Sequence, residues 1–516
     1  MCQLPVSETV RPSRPTSMAS PELRALTTGL VLTVTLVALE ALAVATVMPV
    51  VSADLGGISL YGWVFSAFFL GDLVGIVAAG EQADRHGLVR PYLLGLGFFA
   101  VGLTVGGLAS SMPVLVAARA VQGFGAGAIP AVAYVSIGRQ YPPGLRPRMF
   151  AIMSTAWVAP GIAGPALAGV IAAHLTWRAV FLGLLPLVAV AGALTVPSLA
   201  AVPGAQGVGG AMDAAPAVPG VAGAGIAQEA EAARLGEADP APGRGDARGL
   251  DAERGMRPGR LIDALRVAVG AGLLLAALDA HQALPLVGLG AAGLVVGLPA
   301  LQRLLPGGSL RAHTGLPAAV LLRGVLTFGF TGAEAFVPLM LVALRGMSAA
   351  QAGLALTAAT VTWAVGSWIQ ARRIAGWGVA RLIRLGLVLV VGGIGLVALT
   401  TAAPVPVAVG VTAWGIAGLG MGIAYSPISL FVLHEAPAGR EGAATAGLQL
   451  SDVLGTALGA GVGGVALATA PGLGWGEAAA LLLTFGIAGA AVLAGLAVTA
   501  RLGPAAAPGP GLAGHG

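Results

Sequence analysis

Fourteen runs of mostly apolar residues follow one another along this chain, many of them about 20 residues long, the length a helix needs to cross a bilayer. They lie at 25–51, 60–80, 91–109, 113–138, 149–174, 179–199, 263–280, 285–304, 317–343, 349–371, 380–400, 404–433, 441–469 and 476–501. The pair 263–280 and 285–304 is short and is split by Asp279-Ala280-His281-Gln282. Backbone crossing hydrocarbon must satisfy its own hydrogen bonds, which leaves helices or a closed barrel. A barrel would need alternating segments of roughly ten residues, and the sequence has none. With 57% hydrophobic and 9% charged residues, the chain is too apolar for a soluble globular protein. Its 81 glycines suit close packing of helices through small residues. The expected fold class is an all-α polytopic membrane protein.

A net charge of +5 would suggest nucleic acid in a soluble chain. Here the charge falls in alternate loops. Arg11, Arg14 and Arg24 precede the first run, Arg85 and Arg90 follow the second, and Arg139, Arg146 and Arg148 follow the fourth. Arg372, Arg373, Arg381 and Arg384 follow the tenth run and Arg440 the twelfth, while the opposite loops hold little beyond Arg178 and Arg345. Positive loops stay cytoplasmic, so both termini are expected inside and no nucleic acid is expected as partner. All 27 basic residues are arginine, so the chain has no P-loop lysine and no Schiff-base lysine. Cys2 is the single cysteine, which rules out an internal disulfide and a cysteine-rich metal site. It lies upstream of any apolar run, unlike a lipoprotein cysteine. The first apolar run is too long for a signal-peptide core and is expected to remain as a span. No cofactor, metal or nucleophile–base pair is indicated, and an enzyme is not expected.

Residues 200–262 interrupt the pattern: rich in Ala, Gly and Pro, with eight of the 22 acids and no aromatic residue, they read as a disordered cytoplasmic linker. The segments either side echo each other. Gly123-x-Gly125-x-Gly127 followed by Pro142-Pro143 matches Gly418-x-Gly420-x-Gly422 followed by Pro437, and Gln82-Ala83-Asp84-Arg85 has a weaker counterpart in Gln370-Ala371-Arg372-Arg373. Such repeats mark transporters whose two halves rock about a midplane site. The glycines at 123–127 are no dinucleotide fingerprint, because Ala128 breaks the spacing and no soluble strand precedes them.

Four further signatures occur in order: Gly80-Glu81-Gln82-Ala83-Asp84-Arg85-His86-Gly87-Leu88-Val89-Arg90, Arg119-Ala120-Val121-Gln122-Gly123-Phe124-Gly125, Gly161-Ile162-Ala163-Gly164-Pro165-Ala166-Leu167-Ala168-Gly169, and Trp177-Arg178 ahead of Phe181 and Pro186. Together they resemble the major facilitator superfamily, in its drug:proton antiporter branch with fourteen spans. The resemblance implies a tail at 1–24, six-helix bundles at 25–199 and 317–501, an inserted two-helix hairpin at 263–304 and a tail at 502–516. It further implies that Gly80, Asp84, Arg85, Gly87 and Arg90 form a conformational latch holding the outward-open state, and that Gly161, Gly164, Pro165 and Gly169 mark an exporter. Glu81, Gln82 and Leu88 depart from the usual loop, Ala168 replaces a usual glycine, and Arg372 stands opposite Asp84 in the second half. A generic polar helix end and ordinary small-residue packing are the plainer readings of those two motifs.

Ionisable residues inside spans are costly and usually functional. They are Glu40, Asp72, Arg119, Arg323, Glu334 and Asp452. At the rise of a helix, Glu40, Asp72 and Glu334 lie roughly 14–18 Å below the outer ends of their spans. Glu40 occupies the position of the acid in the family's first-span motif, and Arg119 matches the fourth-span arginine that tunes it. Glu40, Arg119 and Asp72 are the expected proton-coupling set. Glu40, Glu334, Asp452, Gln122 and Gln449 are the expected substrate cavity. A permanent Glu40–Arg119 pair that only joins helices is the alternative, Asp72 could equally be a structural partner, and Arg323 is expected to snorkel or to pair structurally. Trp63, Phe68, Trp157, Trp363 and Trp414 could face bulky ligands, although Trp63 suits interfacial anchoring. Trp177-Arg178 reads as an outer-face packing element.

The expected function is export of amphipathic organic compounds coupled to inward proton movement, across the plasma membrane of a bacterium, by a chain that works as a monomer among membrane lipids. A dedicated exporter of one metabolite or lipid, and a non-transporting sensor on a transporter fold, are the alternatives.

Overall fold

The computed structural model describes residues 21–141, 145–200, 259–280, 282–437 and 440–503, with a few side chains within them left undescribed. The 200–262 linker and the two tails fall largely outside the described residues. The described residues form helices and connecting turns with no strand, and thirteen stretches are long and apolar enough to cross a membrane; Val158–His174 is a shorter apolar helix. We number the helices α1 Pro21–Leu55, α2 Tyr61–His86, α3 Val89–Gly107, α4 Met112–Gln140, α5 Arg146–Thr155, α6 Val158–His174, α7 Trp177–Leu182 and α8 Leu185–Ala200 in the first bundle. The hairpin is α9 Arg260–Asp279 and α10 Ala283–Leu304. The second bundle comprises α11 Leu316–Glu334, α12 Val337–Ala343, α13 Ala349–Trp377, α14 Val379–Leu399, α15 Val407–Glu435, α16 Glu441–Thr469 and α17 Glu477–Val498.

Three expected single runs are interrupted. The fifth is α5 and α6 with a break at Ala156-Trp157, the sixth is α7 and α8, and the ninth is α11 and α12 with a break just after Glu334. The shorter helix α6 crosses only together with α5, which explains thirteen long spans against fourteen expected runs.

The repeated glycines have one structural meaning in both bundles. A Cβ at Gly123 or Gly127 would collide with the α2 carbonyls of Phe68 or Asp72, and one at Gly125 would collide with Phe99 and Gly95 of α3. In the second bundle a Cβ at Gly418 or Gly422 would strike the α13 carbonyls of Ala359 or Trp363, and one at Gly420 would strike Gly386 of α14. Alternate glycines therefore seat α4 against α2 and α3, and α15 against α13 and α14. The pattern is a packing code repeated by pseudosymmetry, and it brings Asp72 and Trp363 to the centre of the molecule.

The bundles meet along two seams in the half away from the arginine-rich loops, the far half. In one seam Gly62 of α2 packs on Gly464 of α16, Tyr61 Oη donates to the Ala335 carbonyl (3.1 Å), and Ser66 Oγ donates to the Ala457 carbonyl (2.8 Å). In the other, α6 lies on α13: a Cβ at Gly161 would strike Thr360, one at Gly169 would strike Ala350, and Pro165 packs against Gly353. Gly164 turns instead toward Leu39 and Leu42 of α1, on either side of Glu40. The glycines and proline of the exporter-like motif thus connect α1 to the opposite bundle.

The hairpin lies over the first seam. Ala264, Val267 and Ala271 of α9 form one apolar cluster with Leu70 and Leu73 of α2 and with Leu450, Leu454 and Ala457 of α16. Glu81, which departs from the usual latch loop, accepts a hydrogen bond from the Leu261 backbone N–H (3.1 Å) at the start of α9. Gly270 of α9 crosses Gly293 and Gly297 of α10 closely enough that a Cβ would lie 2.6 Å from the Gly297 Cα. Gly270→Val is expected to cost roughly 1–3 kcal/mol by overpacking, read as a lower thermal unfolding midpoint of the solubilised protein; an unchanged midpoint would contradict this crossing.

Candidate functional site

A cavity with about 1480 Å³ of atom-free space, part of it open to solvent, lies between the bundles. It extends from the closed far half toward the arginine-rich face, reaching Ile76 on α2 and Gln449 on α16. Two polar stripes face it at helical spacing: Thr327, Thr331 and Glu334 on α11, and Gln449, Asp452 and Thr456 on α16. Residues three, four and seven apart share one helix face, so each stripe is a single wall. Asp72 comes from α2, and the aromatic rings of Phe65, Phe68, Phe69, Trp157, Trp363 and Tyr425 supply flat apolar surface. Among the described residues the lining includes three carboxylates and no arginine. The break between α5 and α6 places Trp157 in the wall, and the break after α11 leaves Glu334 at a helix end.

Glu334, Asp452, Gln449 and Asp72 therefore lie together at the cavity. Glu40 and Gln122 do not line it; they lie behind it, each fully buried. There Arg119 Nη1 donates to Glu40 Oε1 and to Gln122 Oε1, the latter at 2.7 Å. Arg119 Nε reaches toward the Val64 carbonyl (3.4 Å), and its guanidinium lies 4.0 Å from the centroid of Phe68. Phe68 is in the cavity wall, so one ring separates the Glu40–Arg119 pair from the cavity. Glu40 Oε2 and Gln122 Nε2 are buried without hydrogen-bond partners. One carboxylate oxygen is thus committed to arginine, with Gln122 beside the pair.

Arg323 does not snorkel but pairs structurally: it is 1% exposed, donates to the Tyr425 carbonyl (2.8 Å) and to Ser429 Oγ, lies against the Tyr425 ring, and forms no ion pair among the described residues. Tyr425 Oη in turn donates to Asp452 Oδ2. Sequence reasoning did not single out Tyr425, Thr327, Thr331 or Thr456. The spacing of the threonines from Glu334 and Asp452 on otherwise apolar helices was the available signal; for Tyr425 the sequence offered none. Among the expected aromatics, Trp157, Trp363 and Phe68 face the cavity, whereas Trp414 is fully buried, stacked on Phe330 at 4.9 Å.

The loop motif sits at the arginine-rich end. Helix α2 runs to His86 and stops at Gly87, whose φ of 76° suits glycine. Arg85 and Arg90 are exposed, with Arg85 Nη2 at 4.0 Å from Glu81; Gly80 has open space around it, and the Asp84 side chain is outside the described residues. At the far end Trp177 Nε1 and Arg178 Nη1 both donate to Asp54 Oδ2, at 2.8 and 3.0 Å, a contact that packs α7 against α1.

Comparison with known proteins places this architecture. Residues 30–460 match the family model described as Major Facilitator Superfamily. The "Probable multidrug-efflux transporter Rv1634" of Mycobacterium tuberculosis is 27% identical over 88% of this chain and 90% of its own length. "Multidrug transporter protein MdtP" of Bacillus subtilis is 26% identical over 80% of this chain and 69% of its own. "Multidrug resistance protein 3" of Bacillus subtilis is 32% identical, but the match spans only 30% of that protein and 30% of this chain. Among solved structures, the POT family transporter PepTSo superposes with a TM-score of 0.61 at 13% identity, covering 92% of this chain and 97% of that one. The human organic anion transporter MFSD10 (TETRAN) superposes at 0.55 and 17% identity, covering 93% and 99%. At those identities the structural likeness is one of fold alone. Two pseudosymmetric bundles around a central cavity, with a family match over most of the length, make this membrane protein a member of the Major Facilitator Superfamily.

Proposed function

We propose that this chain exports amphipathic organic cations in exchange for protons entering the cell, with both termini in the cytoplasm of a bacterium and the plasma membrane as its site. The observation that carries the reading is the pairing of an acid-lined, aromatic cavity with a buried Glu40–Arg119–Gln122 cluster one ring behind it. Three carboxylates without a lining arginine attract a cation, and the rings hold its apolar body. With the far half closed, the conformation is the one that loads cargo from the arginine-rich, cytoplasmic side. The multidrug-efflux names of relatives over most of the chain support export. Each inward proton releases ~2.3 kcal/mol per 100 mV of membrane potential, and coupling requires only that proton and cargo favour different states.

The test is reconstitution in liposomes with a trapped pH dye, an imposed pH gradient and added tetraphenylphosphonium. Cargo-triggered proton movement is expected, and Glu334→Gln should lower its rate about tenfold, as expected for loss of one desolvated charge contact. Transport of the cation that ignores the pH gradient would refute antiport. Proton movement with only one compound among many unrelated ones would favour a dedicated exporter.

A further inference from the structure

Each bundle hides an arginine behind an aromatic ring of the cavity wall, but the two arrangements differ in where the carboxylate lies. In the first bundle Arg119 and its partner Glu40 are both behind Phe68. In the second, Arg323 is behind Tyr425, 3.3 Å from the ring centroid, while Asp452 is in front of it, in the cavity wall, held by the tyrosine hydroxyl. Nε and Nη1 of Arg323 are buried without hydrogen-bond partners. A buried guanidinium lacking a carboxylate is costly. Asp452, one ring away, is close enough for the two charges to act on each other. Asp72 and Glu334 have no such support: among the described residues neither makes a side-chain hydrogen bond or ion pair, and Asp72 meets the charge of Asp452 from across the cavity.

We propose that Arg323 and Tyr425 are positioning residues that hold Asp452 as the fixed anion of the cavity, the anchor for the positive end of the cargo, and that Asp72 and Glu334 are the cavity carboxyls that give up a proton as it binds. Glu40, behind Phe68, is still the acid that couples transport to the gradient. The assignment rests on the cation-export reading above. An arginine in the cavity wall would repel a cation and occupy the carboxylate. Behind the ring it does neither, because the electron-rich face of Tyr425 takes the guanidinium while the hydroxyl at its edge orients Asp452. The polar groups around Asp452 are Asp72 from α2, Arg323, Thr327 and Glu334 from α11, and Tyr425 from α15, with Tyr134 of α4 close to Tyr425. Helix α9 presents Ala264, Val267, Ala268 and Ala271 to the cluster that holds the neighbouring Leu450 and Leu454.

The experiment is equilibrium binding of tetraphenylphosphonium to the purified full chain across a pH series, in the unmodified protein, Tyr425→Phe, Asp72→Asn and Asp452→Asn. Tyr425→Phe keeps the ring and removes only the hydroxyl, so folding is not at issue. It is expected to weaken binding about tenfold near neutral pH, as loss of a hydrogen bond to a charged group does, with most of the loss recovered at alkaline pH. Asp72→Asn should flatten the pH dependence of binding, and Asp452→Asn should lose binding at every pH. Unchanged binding by Tyr425→Phe, or an equal loss at every pH, would overturn the assignment while leaving cation export standing. Failure of the unmodified protein to bind the cation would overturn both.

Discussion

Transport driven by a pH gradient is expected to disappear in Glu40→Gln. The amide cannot release a proton, and Glu40 Oε2 is the partnerless oxygen of the pair. The same change leaves Arg119, 2% exposed, without its carboxylate, and breaking one side of a buried pair costs about 3–5 kcal/mol. Loss of transport alone would therefore not separate coupling from structure. The double variant Glu40→Gln/Arg119→Gln removes both charges, and it should recover much of the thermal stability lost by the single change while remaining uncoupled. Recovery of pH-driven transport in the double variant would mean that the pair only joins α1 to α4. Full pH-driven transport by Glu40→Gln itself would remove Glu40 from the mechanism.

A shift in conformation is expected from Gly169→Val and Gly161→Val. Both glycines lie where α6 touches α13, and even a Cβ at either would overlap Ala350 or Thr360 of the other bundle. Overpacking of this kind costs about 1–3 kcal/mol. The overlap exists only while the far half is closed, so that strain becomes a population shift of about 5- to 150-fold toward states with this seam open. Spin labels at the far ends of α6 and α13, in a chain whose Cys2 is replaced by serine, should move apart, and transport should fall in step. An unchanged distance distribution would show that the seam does not govern the alternation. Gly164→Ala is a useful contrast, since its new methyl meets Leu39 at 3.1 Å inside the first bundle and leaves the seam alone.

Much of this arrangement was legible in the residues. Hydropathy located the spans because most of the runs are about as long as the hydrocarbon core is thick and carry almost no charge, which soluble helices seldom match. The paired glycine repeats announced the pseudosymmetry, and the structure brings Glu40 and Arg119 together as their positions suggested. What hydropathy cannot supply is rotation: a helix apolar all round does not reveal which side faces the centre. That is why Glu40 and Gln122 read as cavity residues although they lie behind Phe68, and why Arg323 was left open between snorkelling and structural pairing, of which its bonds to Tyr425 and Ser429 are the second. The interruptions at Ala156-Trp157 and after Glu334 escaped notice for a different reason. Pro160 and Pro338 stand four residues after Ala156 and Glu334 and lack the N–H those carbonyls would bond, a signal carried by proline spacing that hydropathy does not register.

The hairpin has a consequence for the lipid around the molecule. Helix α9 lies across the joint between α2 and α16, and α10 carries strongly exposed Leu284, Val287 and Val295 on its outside. On that flank the bilayer meets a second wall of protein before it meets the cavity. A greasy molecule dissolved in the membrane has no short path inward there unless the hairpin shifts, so the insertion gives the transporter a sealed flank and makes its contact with the bilayer lopsided.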